Sequence, residues 1–134
     1  MGIKDFTGQL LMKIAGVYLM GIIFVAAGLN HFRDPGFYRP MMPKWLPQHD
    51  LLIVISGIAE IILGLLLFYP PLRPWAAWGI VLMLIAFFPV HIYMIQVRTE
   101  AFANIPAWFL VLRFFIQFAL IYWAYCYTDH GGFA

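Results

Sequence analysis

Residues 51–69 read LLIVISGIAEIILGLLLFY, a nearly unbroken apolar run with one carboxylate, Glu60, at its middle. A helix crossing the hydrocarbon core needs about 20 mainly apolar residues, because about 30 Å at 1.5 Å per residue requires that length. The run therefore predicts a transmembrane helix. Three further segments meet the same requirement, approximately Leu10–Asn30, Trp75–Val97 and Ile105–Tyr127.

The breaks between these segments have a chemical cause. Pro35, Pro40, Pro43 and Pro47 punctuate the first loop, and Pro70, Pro71 and Pro74 tighten the second. Arg98, Thr99, Glu100 and Asn104 make the third loop polar, while Pro106 suits the first turn of a last helix. The expected fold is all-α, an integral membrane four-helix bundle forming a single domain over residues 1–134.

Composition agrees. Of 134 residues, 64% are hydrophobic and only 10% charged, against about 25% charged in a soluble domain. Mean hydropathy is +0.88. The net charge of +2 is small and its cations are scattered, which excludes a nucleic-acid-binding stripe. Cys126 is the only cysteine, so the chain has neither an internal disulfide nor a CxxC redox pair. The first apolar stretch leads through Asn30 and His31 into a long loop without a small-residue cleavage site, and it reads as a retained helix.

Trp75, Trp78 and Trp123 mark one interface, and Trp45 and Trp108 the other. Lys4, Lys13 and Arg73 on one side oppose Arg33, Arg39, Lys44 and Arg98 on the other, a near balance. Lys4 and Lys13 at the start of the first helix favour cytoplasmic termini. Gly21 and Gly28 in the first helix, and Gly57 and Gly64 in the second, share a spacing of seven, which lets two helices approach closely.

The intramembrane polar residues carry the functional question. Arginine at a helix centre costs roughly 2.5 to 3.5 kcal/mol on insertion, so Glu60, His91 and Arg113 each need a partner. Counted from the side of the first and third loops, Glu60 lies about 13 Å deep, Arg113 about 12 Å and His91 about 9 Å. These three are expected to contact one another. Gln117 follows Arg113 by four residues and Ser56 precedes Glu60 by four, adding polar groups on nearly the same faces. Asn30 and His31 close the first helix at the mouth of this layer, with Tyr93 and Gln96 near the same end.

Two readings follow. In one, Glu60 and Arg113 form an ion pair that fixes helix order. In the other, the layer is a pocket whose donors and acceptors suit quinone carbonyls or a lipid headgroup, under the long apolar first loop from Phe32 to Asp50. A haem held by His31 and His91 fits poorly, since the two differ in depth by about 9 Å. The histidines, Glu60 and Asp34 lack the dense spacing of a metal site.

The chain resembles the DoxX-like family of small four-helix membrane proteins. The resemblance lies in Ala27-Gly28-Leu29-Asn30-His31-Phe32, in Gly57-Ile58-Ala59-Glu60-Ile61-Ile62-Leu63-Gly64, and in Pro71-Leu72-Arg73 with Ala76-Ala77-Trp78-Gly79. It continues through Phe88-Pro89-Val90-His91-Ile92-Tyr93-Met94 and Leu112-Arg113-Phe114 with Gln117, to Trp123-Ala124-Tyr125. It implies either a quinone-linked or oxidative-stress-related membrane component, or a non-catalytic assembly factor. The expected partners are membrane lipid, a quinone, and a partner membrane protein or second copy; the expected location is the bacterial inner membrane.

Overall fold

The computed structural model describes residues 2–97 and 104–129. It contains α1 (Ile3–Arg33), α2 (Pro35–Tyr38), a 3₁₀ turn (Arg39–Met41), α3 (His49–Leu66) and a second 3₁₀ turn (Pro70–Leu72). These are followed by α4 (Arg73–Ala86), α5 (Phe88–Gln96) and α6 (Ala107–Tyr125). Among the described residues there is no strand. Four stretches are long and apolar enough to cross a membrane: Phe6–Arg33, His49–Leu66, Pro70–Gln96 and Ala107–Tyr125. The protein is an all-α, multi-pass membrane bundle. Its exterior is correspondingly apolar, with Ile22, Ile62, Leu82 and Phe115 all exposed on the outside.

Two expected bounds are corrected. Helix α1 begins at Ile3 rather than near Leu10, because no proline or turn sequence interrupts the polar residues before Leu10. Its 31 residues extend about 46 Å, more than the hydrocarbon thickness. The third span is two helices, broken between Ala86 and Phe88. Pro89 has no N–H and its ring crowds the carbonyl one turn back, so the ladder cannot run through it. Arg98, Thr99 and Glu100, expected in the third loop, lie outside the described residues.

Local chemistry sets the other ends. Pro35 disfavours helical backbone at Asp34, which has φ −141° and ψ 69°. Gln48, just before α3, is left-handed at φ 48°. The Arg73 Nε donates to the Leu67 carbonyl at 2.7 Å, satisfying an acceptor freed beyond the end of α3 and placing a cation at its negative pole.

Packing divides the bundle. Helices α1 and α3 form its most extensive contact, and they meet backbone to backbone. A Cβ built at Gly28 would lie 2.6 Å from the Gly57 carbonyl oxygen, and one at Gly21 would lie 2.9 Å from that of Gly64. The expected glycine seam is therefore present. Such proximity permits Cα–H···O contacts of about 0.5 to 1 kcal/mol each. Helix α6 packs on both α4 and α5, and α3 meets α4. Gly16 of α1 faces Tyr127 and Trp123, closing the bundle. Val17, Met20, Leu67 and Ile80 are fully buried in the main core. A smaller core holds Met94 and Leu110, with Met41 of the first loop packed against it.

Candidate functional site

Glu60 shares the buried face of α3 with Ile53, Gly57 and Gly64, the face turned to α1 by the glycine seam. Its partner is His31. The His31 Nε2 lies 3.3 Å from Glu60 Oε2, and both side chains are buried. The other ring nitrogen, Nδ1, lies 2.9 Å from the Ile53 carbonyl oxygen. A carbonyl can only accept, so Nδ1 carries a proton and donates it. Nε2 and Glu60 must then hold one further proton between them, since otherwise a lone pair would face a carboxylate. Glu60 Oε2 has no aligned hydrogen bond, so this contact is electrostatic in character.

The first loop returns over this pair. The Tyr38 ring lies on the His31 ring at a centroid distance of 4.1 Å, and the Asn30 amide donates to the Tyr38 hydroxyl at 2.8 Å. Phe37 meets the Tyr38 ring edge-on at 5.2 Å. The exposed Arg39 Nε contacts Asp50 Oδ1 at 2.6 Å, tying the loop to the start of α3.

A second polar group sits in the other half of the bundle. Arg113 Nη1 donates to Gln117 Oε1 at 2.9 Å, and Gln117 Nε2 donates to the Leu84 carbonyl at 2.7 Å. Leu84 lies beside the break that Pro89 imposes, where the α4 ladder is interrupted and its carbonyls lack regular partners. Gln117, 0% exposed, thus bridges the break to α6. His91, half-buried on α5, lies within electrostatic reach of Arg113. Phe88, Phe114 and Phe118 stack beside this group, with Phe88 4.9 Å from Phe118 and 5.6 Å from Phe114.

The expected three-way contact of Glu60, His91 and Arg113 is therefore corrected. Glu60, His31 and Asn30 gather in one half, whereas His91, Arg113 and Gln117 gather in the other. The reason is angular: α3 and α6 share a depth, but the extensive contact of α3 is with α1 and that of α6 is with α4 and α5. His31–Glu60 and Arg39–Asp50 form ion pairs, and among the described residues no carboxylate reaches Arg113. Tyr93 is half-buried on α5 and joins neither group by a hydrogen bond or ion pair among the described residues.

Tyr38 was placed only within the loop expected across the mouth of the polar layer, without a contact to His31, and Arg73 was given no role in capping α3. Tyr38 had a usable signal, an aromatic residue in a proline-rich loop directly after His31. A depression of about 570 Å³ on the loop is lined by Arg39, Leu46, Gln48, His49, Asp50 and Leu51. None of the expected site residues lines it.

Residues 20–128 match the model of a family described as a domain of unknown function, DUF8561. The chain belongs to the DUF8561 family. The DUF8561 match runs from within α1 to just beyond α6, so it includes both polar groups. No curated protein and no solved structure matches the chain.

Proposed function

We propose that this protein is a quinone-linked or oxidative-stress-related membrane component that binds a small amphipathic molecule between α5 and α6, at Arg113 and His91. The observation that carries the reading is Arg113 itself: a guanidinium within a membrane span, with His91 beside it and no carboxylate in reach among the described residues. A half-buried cation within a span needs acceptor oxygens. Gln117 supplies one, leaving further N–H groups of the guanidinium fork for a ligand. Quinone carbonyls supply such acceptors, and Phe88, Phe114 and Phe118 provide an apolar wall for a ring. A lipid headgroup is the other ligand of the same chemistry. Relationship to the DoxX-like proteins and residence in the bacterial inner membrane belong to the same proposal.

The chain has no cysteine pair, so electrons in this reading come from a partner protein. The test is organic extraction of the purified protein with mass spectrometry of what leaves with it. Quinone or lipid at about one per chain, lost in His91→Ala and Arg113→Met while the bundle stays folded, supports the reading; no co-purifying molecule contradicts it. A second reading, assembly of another membrane protein, draws support from the exposed Phe37 and Trp45 on the first loop. In that case His91→Ala and Arg113→Met keep their lipid content, and Phe37→Ala and Trp45→Ala lose a co-purifying protein.

A further inference from the structure

The buried pair of His31 and Glu60 is not used by the reading above, and it is built unlike a static ion pair. One of its two members is oriented by a backbone carbonyl, Ile53 O at 2.9 Å, which leaves a single proton to be shared across the 3.3 Å gap. That gap is longer than a charge-assisted hydrogen bond, and Glu60 Oε2 is buried without an aligned donor. We infer that the His31–Glu60 pair is a proton-binding latch: with one shared proton it seats Tyr38 and holds the first loop shut, and a second proton releases the loop.

Three helices meet at the pair. Helix α1 contributes Asn30 and His31, α2 contributes the Tyr38 ring and hydroxyl, and α3 contributes Glu60 and the Ile53 carbonyl. On the loop side, Arg39 and Asp50 neutralise each other at the exposed rim. Glu60 is the carboxylate that meets the imidazole, and the Tyr38 phenol on the ring face is the other ionisable group against it. With one shared proton the pair is neutral overall, whichever member carries it. A second proton leaves an imidazolium beside a neutral acid, a net charge buried without a counter-ion. The Tyr38 face offsets part of that cost as a cation–π contact, but a desolvated charge outweighs it. Tyr38, whose ring lies on the imidazole, must move for water to reach that face of His31.

Release of Tyr38 has a consequence across the molecule. Three residues on, Met41 packs on the Met94–Leu110 core of α5 and α6. The same strand of loop therefore joins the His31 end of one half to the His91-bearing helix of the other. The latch stands on this geometry alone and holds whether or not a ligand occupies the Arg113 site.

The test is a distance measurement between spin labels on the full chain in lipid nanodiscs. Labels are placed at Lys44→Cys on the loop and Ala119→Cys on α6, in a Cys126→Ser background. On titration from neutral to acid, the distance distribution should gain a second, longer population. In H31Q/E60Q, which keeps hydrogen-bonding groups but cannot titrate, one population should persist throughout. Tyr38→Ala should show the longer population already at neutral pH. An unchanged distance in the otherwise native chain overturns the latch, as does a pH shift that survives in H31Q/E60Q. If H31Q/E60Q does not fold, a closed loop in Tyr38→Ala at neutral pH overturns it.

Discussion

The two halves of the bundle solve the same problem, holding polar groups inside a membrane, by different means. Helices α1 and α3 bring their backbones together at Gly21–Gly64 and Gly28–Gly57, and that close approach brings His31 to Glu60 as a neutral-overall pair. The half built from α4, α5 and α6 is looser and aromatic; its polar groups span a helix break, and its cation has no counter-ion among the described residues. Rigid backbone contact goes with a self-sufficient pair. The interrupted helix goes with an incomplete one, which is where an external ligand has something to supply.

The largest expected effects test the rigid half. In Gly28→Leu the first side-chain carbon alone would sit 2.6 Å from the Gly57 carbonyl and 2.7 Å from Ile61. Neither helix backbone can yield cheaply, so a loss of about 3 kcal/mol or more is expected from overpacking, read by reversible unfolding in mixed micelles. A loss under about 1 kcal/mol would mean that the seam is not the tight contact described. In the looser half, Gln117→Leu removes the bridge between Leu84 and Arg113. It should cost about 2 kcal/mol, since it leaves a buried carbonyl and strands a guanidinium donor. The same substitution should raise hydrogen exchange around Phe87 and leave α1 unchanged; uniform exchange changes would contradict the division. The smallest effect is expected at Gly79→Ala. There the new carbon meets the tip of Leu63 at 2.7 Å, a flexible side chain rather than a backbone. Melting should shift by the equivalent of about 0.5 kcal/mol.

The spans were legible because hydropathy and proline spacing act locally, and so were the glycines of the seam, whose spacing of seven returns to one helix face. The depth of each polar residue was also legible, as it depends only on rise per residue. Angular position was not. Equal depth made Glu60 and Arg113 look like partners, but which corner of the bundle a helix occupies is decided by packing, and here the glycines commit Glu60 to α1. Pro89 carried a readable signal for the break in the third span. The apolar residues on both sides of it nevertheless read as one continuous span. The role of Gln117 depended on that break, because only an interrupted ladder has a carbonyl to offer.

The most direct test of a divided polar layer is a pair of double-mutant cycles measured under one set of unfolding conditions. The cycle between His31→Gln and Glu60→Gln should give a coupling of about 1 to 3 kcal/mol, because these residues touch. The cycle between Glu60→Gln and Arg113→Met should be additive within about 0.5 kcal/mol, because theirs are separate groups in opposite halves of the bundle. Strong coupling of Glu60 to Arg113, with none to His31, would contradict the account and restore a single ion-paired layer.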